Sequence, residues 1–291
     1  MKYHELYHIG NEKLKTVGIE EAELDARLIL EAVCGTSRHD LLVNGEKAVA
    51  AEQAKSYVNY IAKRENRIPL QYILGEQEFM GLKFIVTPDT LIPRQDTETL
   101  VEEIMRHMHD GQSILDMGTG TGCILLSLLH YSNHCTGTGA DISAAALAVA
   151  RKNEKEIAAL PRQGERMKPV TWIQSDLFAE VCGRFDIIVA NPPYIPTADI
   201  AALMPEVRDC EPILALDGKS DGLYFYRKII DQSSQFLCPG GMLFLEIGHG
   251  QAAAITAKLA DSGYYDINVV KDLAGQDRVI YATHHYYKMH P

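Results

Sequence analysis

At 291 residues the chain has room for one large domain and a small one. With 46% hydrophobic and 23% charged residues its composition is that of an ordinary globular protein, so a core can form without disulfides or a structural metal. A net charge of −11 argues against a protein that grips long stretches of phosphate backbone, and nucleic acid is not expected as a partner.

Six cysteines (Cys34, Cys123, Cys135, Cys182, Cys210, Cys238) lie far apart with no C-x-x-C pair, so they read as reduced, packed thiols. The N-terminus lacks an apolar leader, and no run reaches the about 18 apolar residues of a membrane span. The expectation is a cytoplasmic protein with no membrane partner. His284, His285 and His290 invite a metal, but they follow a strand-like segment at the chain end, and no metal site is expected.

In chain order, the first residues read as helical. Helices are expected over 20–33, with Leu24 and Leu28 at helical spacing and Gly35 as a stop, and over 48–64, with Val58, Ile61 and Ala62 on one face. A third is expected within the first 17 residues. Residues 68–92 read as an extended connection, broken by Pro69, Gly75, Gly81 and Pro88, with a hairpin around Phe79 and Phe84-Ile85-Val86. This divides the chain into a helical bundle (1–67), a linker (68–92) and a larger domain (93–291).

From Asp96 on, strands and helices alternate. A helix over 97–109 has Asp96 as a plausible N-cap and Leu100, Val101, Ile104, Met105 and Met108 on one face. Strands are expected over 113–117, ending at 138–141, over 170–173, 185–190 and 241–247, and helices over 122–130, 144–156 and 251–262. Two last strands fall near 265–270 and 278–283. Such alternation predicts a doubly wound, Rossmann-like α/β sheet.

The loop Asp116-Met117-Gly118-Thr119-Gly120-Thr121-Gly122 joins a strand to a helix, where glycines let the backbone turn tightly and approach a ligand. Its G-x-G-x-G spacing differs from the dinucleotide fingerprint. Asp116 would repel a pyrophosphate there, but could hold the ammonium of a methionine moiety. Asp141, 21 residues after Gly120, either accepts both ribose hydroxyls of an adenine nucleoside or caps the following helix. Asp176 with Leu177 either clasps an adenine or is a plain loop. Together, the loop and three strand-end acids fit S-adenosyl-L-methionine better than NAD.

Asn191-Pro192-Pro193-Tyr194 follows the apolar strand at 185–190. Its prolines lack N–H groups, leaving backbone carbonyls as acceptors beside the Asn191 side-chain oxygen. Two such acceptors can bind both hydrogens of an –NH2 group while Tyr194 stacks on its flat face. Orienting a planar nitrogen toward a sulfonium methyl requires no strong base. A rigid turn is the bland alternative.

With these motifs the chain resembles the protein-(glutamine-N5) methyltransferases that act on bacterial peptide chain release factors. The resemblance extends through Pro69-Leu70-Gln71-Tyr72-Ile73-Leu74-Gly75, Leu91-Ile92-Pro93-Arg94 with Thr97-Glu98, Glu211-Pro212 and Ala215-Leu216-Asp217-Gly218. It continues in Pro239-Gly240-Gly241, Leu245-Glu246-Ile247-Gly248 and Asp277-Arg278. It implies a class I methyltransferase fold with an antiparallel C-terminal strand, a small N-terminal bundle that docks the release factor, and methylation of the glutamine in a Gly-Gly-Gln motif. By position it implies that Gly118, Thr119, Gly120, Thr121, Gly122, Asp141, Leu177 and Asn191 line the cofactor site, and that Asn191, Pro192, Pro193 and Tyr194 hold the glutamine. Met117, Gln95 and Leu177 depart from its usual leucine, proline and tryptophan. Because the tetrapeptide also occurs in enzymes that methylate exocyclic amino groups of nucleobases, that activity is the alternative.

Overall fold

The computed structural model describes residues 1–162 and 164–284; His285 and His290 lie outside them. Two compact units divide the chain: Met1–Glu76 with Met204–Cys210, and Gln77–Leu203 with the described chain from Glu211 onward.

The first unit opens with α1 (Tyr3–Thr16), α2 (Ala22–Cys34), α3 (Arg38–Val43), α4 (Ala51–Glu65) and α5 (Leu70–Leu74). Leu6, Leu14, Ala26, Ile29, Leu30, Tyr57 and Ile61 make its core. A Cβ on Gly10 would stand 2.0 Å from the Tyr57 hydroxyl, so only glycine lets α1 meet α4 there. The buried stripe of α4 is Tyr57, Ile61 and Arg64, whereas Val58, expected inside, is exposed. The connection expected to be extended over 68–92 instead holds α5: Pro69 precedes a single turn, and Gly75, at φ +79°, ends it.

In the second unit, β1 (Glu76–Phe79) and β2 (Leu82–Ile85) form a two-stranded sheet. Met80 and Gly81 between them both have positive φ, the requirement of a tight hairpin whose twist matches its strands. A 3₁₀ turn over Gln95–Thr97 leads into α6 (Glu98–His107). Asp96, expected as the N-cap, lies inside that turn and pairs with Arg278, and Met105 of α6 is exposed. Next come β3 (Ser113–Met117), α7 (Cys123–Tyr131), β4 (Thr136–Asp141), α8 (Ala144–Ala158), β5 (Thr171–Gln174) and β6 (Phe185–Ala190).

The short α9 (Pro205–Arg208) belongs to the first unit. There Arg64 reaches Asp25 at 2.7 Å and Glu206 of α9 at 3.0 Å, and Arg67 adds a 3.1 Å contact to Glu206. The second unit ends with α10 (Tyr224–Ser233), β7 (Leu237–Glu246), α11 (Ala252–Asp261), β8 (Tyr264–Lys271) and β9 (Asp277–His284). The reading from sequence missed α10, which buries Tyr226, Ile229, Ile230 and Ser233 at helical spacing.

One seven-stranded sheet runs β5-β4-β3-β6-β7-β9-β8. The first five strands are parallel, and β9 runs antiparallel to both β7 and β8. Chain order moves from β3 outward to β5 on one side and through β6 on the other, so the crevice of this doubly wound sheet opens at the carboxyl ends of β3 and β6. Gly139 on β4 gives Trp172 its place: a Cβ there would lie 2.4 Å from the indole ring, whose Nε1 donates to Glu154 at 2.7 Å. Among the described residues no group of three or more His, Cys, Asp or Glu is placed to hold a metal, and no helix is long and apolar enough to cross a membrane.

Candidate functional site

The loop after β3 turns three times through the left-handed region, at Gly118 (φ +72°), Gly120 (φ +55°) and Gly122 (φ +79°). A side chain would be strained at each. Nothing lies within 4 Å of where a Cβ on Gly118 would be, so that backbone is open to a ligand. Behind Gly122 stand Trp172 and Leu126, at 3.0 and 3.1 Å from the same point, which gives this glycine a packing role. Gly118 and Thr119 donate their N–H groups to the Ala140 carbonyl at 2.8 and 3.1 Å, and Gly120 donates to Asp141 Oδ2 at 2.9 Å. Asn153, fully buried on α8, holds the loop from behind: its Nδ2 donates to the carbonyls of Thr121 at 2.9 Å and Ile85 at 3.1 Å.

Asp141 ends β4. Its Oδ1 accepts from the Ser143 N–H at 2.8 Å, while Ser143 itself caps α8 by accepting from Ala146. Asp141 is therefore not the cap; its carboxylate staples the glycine loop to the β4 end. Burial raises its pKa, and the N–H groups of Ser143 and Gly120 pull it back down. After β5, Leu177 sits at φ +49°, unusual for a leucine, with its carbonyl held by the Ser175 hydroxyl at 2.6 Å. Such strain persists where surrounding structure over-determines it, and here it stands at a ligand wall.

A cleft of about 220 Å³ gathers these parts. Gly118, Thr119, Gly120, Thr121, Asp141, Asp176, Leu177, Asn191, Pro192 and Pro193 all line it. Three residues expected in the site do not. Gly122 lies behind the loop. Asp116 is wholly buried on a strand paired on both sides, with Oδ2 accepting from Thr119 at 2.6 Å and Oδ1 unpartnered. Burial pushes its carboxyl up to about 7, against the Thr119 hydrogen bond and with the Asp141 charge adding. Tyr194 is turned away: Gln251 Nε2 donates to its carbonyl at 3.0 Å, and its ring leaves no room for a Cβ on Gly248, 2.9 Å off.

The sequence reading also missed wall residues. Ile142, Ser175, Leu214, Ala215 and Phe225 contribute, as do Arg94 and Thr97. Arg94 reaches the buried Glu211 at 2.5 Å. Thr97 lies behind Asn191, whose Nδ2 donates to the Thr97 hydroxyl oxygen at 3.4 Å. The I-P-R and E-P segments signalled Arg94 and Glu211; Ile142 and Phe225 carry no signal beyond being apolar beside a motif.

Comparison with known proteins bears on this cleft. Residues 5–75 match the family described as PrmC N-terminal domain, and residues 94–208 the family described as Methyltransferase small domain. A release factor glutamine methyltransferase of Geobacter sulfurreducens is 44% identical over 264 residues, 90% of this chain and 90% of that protein. This chain belongs to the release factor glutamine methyltransferase family. The relative from Moorella thermoacetica is 42% identical, covering 93% of this chain and 94% of its own. Among solved structures, a methyltransferase from Pyrococcus furiosus superposes with a TM-score of 0.52 at 17% identity, covering 77% of this chain and 99% of that one, and shows the shared fold.

As a member of the release factor glutamine methyltransferase family, the enzyme uses S-adenosyl-L-methionine, and the residues present fit that group. Asp141 offers a carboxylate to a ribose diol, Ile142 and Leu177 offer apolar faces to a purine beside Asp176, and Gly118 leaves open backbone. Asp116, buried beneath the loop with Oδ1 unpartnered and its carboxyl lifted by burial, is an acid whose charged form a cationic ligand in the cleft would favour without touching it.

Proposed function

We propose that this enzyme transfers the methyl group of S-adenosyl-L-methionine to the side-chain amide nitrogen of the glutamine in the Gly-Gly-Gln motif of peptide chain release factors. The observation that carries the reading is the convergence of Asn191-Pro192-Pro193 and the glycine loop on one cleft, from adjacent strands β6 and β3.

S-adenosylmethionine supplies an electrophilic sulfonium methyl. The chain's own residues do the rest. The side-chain oxygen of Asn191 and the carbonyl of Pro192 accept the two amide hydrogens, which presents the nitrogen edge-on. Pro192 and Pro193 add no N–H donor that would compete for the acceptors. Pro193, Leu214 and Phe225 make apolar walls that exclude water and strengthen these hydrogen bonds. Tyr194 anchors the tetrapeptide from behind through Gln251. Once methylated, the nitrogen loses its proton readily, so positioning and fixed acceptors supply the barrier reduction.

The helical unit, whose residues 5–75 match the PrmC N-terminal domain, docks the release factor in this reading. The reaction then belongs to the cytoplasm, where translation terminates. The test is transfer of labelled methyl to a purified release factor beside its Gly-Gly-Gln→Gly-Gly-Ala control. Label in the first alone supports the reading. Label found only in nucleic acid, and lost in Asn191→Ala, favours an exocyclic amino group of a nucleobase instead.

A further inference from the structure

An asparagine amide is nearly symmetric in shape but not in chemistry: one end accepts, the other donates. The proposed reaction needs the Asn191 oxygen toward the acceptor amide and its NH2 turned away. What fixes that choice lies behind the cleft. Thr97, buried, receives the Asn191 Nδ2 at 3.4 Å. Beside both stands Glu246, the last residue of β7 and next to Asn191 across the sheet after the Ala190–Leu245 pair of β6 and β7. It is 1% exposed, the Thr97 hydroxyl and the Asn191 amide ease its charge, and its Oε2 is unpartnered.

We propose that Glu246 is a positioning residue for methyl transfer, fixing through Thr97 the direction in which the Asn191 amide faces. A carboxylate has no proton to give, so Thr97 must donate to it. The hydroxyl oxygen then has only lone pairs left for Asn191, which must turn its NH2 inward. Protonating Glu246 reverses the chain: its O–H donates to Thr97, the Thr97 proton turns to Asn191, and the amide oxygen is drawn away from the cleft.

Groups from every surrounding element bear on this carboxyl. They are Asp96 and Thr97 from the 3₁₀ turn, Cys123 from α7, and Asn191 and Tyr194 after β6. Tyr226 of α10 donates to the Glu246 main-chain carbonyl at 2.9 Å. Arg278 of β9 favours the charge, but is itself shared between Asp96 and Asp272 at 3.1 and 3.0 Å. Burial wins over these contacts and lifts Glu246 to about 7, so both hydrogen-bond directions are populated near neutral pH.

The inference rests on the proposed function and is tested with the whole enzyme, a release factor as acceptor and saturating cofactor. In Glu246→Gln, kcat falls on the order of 10–100-fold, while KM for the release factor and Kd for the cofactor stay within about threefold. The wild-type kcat rises with pH through about 7, and the variant loses that limb. Thr97→Val, which changes no buried charge, gives the same losses even if the first variant folds poorly, and the double variant is no worse than the worse single one. A Glu246→Gln enzyme with wild-type kcat, one that keeps the pH limb, or one whose cofactor affinity falls in step with kcat overturns the inference. A wild-type enzyme that leaves the release factor unlabelled overturns the proposed function instead.

Discussion

Asp141 accepts two backbone N–H groups, from Gly120 at 2.9 Å and Ser143 at 2.8 Å, and still faces the cleft. In Asp141→Ala the ribose diol loses a charged acceptor and the glycine loop loses its staple. A hydrogen bond to a charged group contributes about 1.5–3 kcal/mol, so removing the two that a diol would make costs the cofactor about 3–6 kcal/mol. At about 1.4 kcal/mol per decade, Kd rises roughly 10²- to 10⁴-fold. Asp141→Asn keeps the shape, but its NH2 must face one of two N–H donors, and a loss of about 10- to 100-fold is expected. Stability should suffer less, because the α8 cap is Ser143, not Asp141. Calorimetric titration of S-adenosylmethionine, with a melting curve for each variant, separates the two effects. Competition by adenosine should weaken in the variants and competition by methionine should not. A cofactor Kd within threefold of wild type in Asp141→Ala would refute the assignment.

Asn191→Ala should lower kcat by two orders of magnitude or so while the cofactor Kd moves a few-fold, since its acceptor acts mainly in the reactive geometry; equal losses in both would contradict the role. Asp116 makes a pH prediction for the cofactor-free protein. Its folded pKa, about 7, exceeds the unfolded value, so the folded state holds more protons across the interval and stability falls as pH rises from about 4 to about 7. That contribution is on the order of 4 kcal/mol, and subtracting the pH slope of Asp116→Asn from that of wild type in urea unfolding isolates it; a difference of opposite sign would sink it. In the helical unit, Arg64→Ala leaves Asp25 buried without its cation and weakens the hold on Glu206, at a cost of about 3–5 kcal/mol, read as a lower unfolding midpoint. An unchanged midpoint would show the pair to be dispensable.

The parts of this site legible in the sequence are those whose chemistry is local. Gly118, Gly120 and Gly122 are glycines because each backbone turns left-handed, and the apolar β6 run followed by two prolines marks a strand that ends abruptly. What the sequence cannot display is direction. Asp116 was recognisable as a strand-end acid, but it pairs with Gly139 on one side and Val189 on the other, which takes it off the cleft wall. Tyr194 was recognisable as an aromatic beside the acceptors, yet its ring is claimed by the space over Gly248. Thr97 and Glu246 are 149 positions apart, and only the pairing of β7 with β6 and the packing of α6 against β7 bring them to one amide. Helix α5 is too short to show a period between Pro69 and Gly75, and the aromatic start of α10 hid a spacing that burial makes plain.

Two of the buried acids, Asp116 and Glu246, share a placement in the sheet. Each lies at or next to the carboxyl end of a central strand, Asp116 on β3 and Glu246 on β7, and each keeps one oxygen unpartnered. Buried polar atoms are nearly always satisfied, because an orphan costs about 1–3 kcal/mol. By contrast, the other buried acids sit against a cation: Asp25 with Arg64, Asp272 with Arg278, and Glu206 and Glu211 with arginines, although the last two also keep one oxygen unpartnered. What sets Asp116 and Glu246 apart is a buried carboxyl raised to about 7 by its burial, beneath the cleft where the proposed reaction holds a cation and an oriented amide. Buried acids perturbed in this way beside a cleft fit residues kept for chemistry rather than for folding.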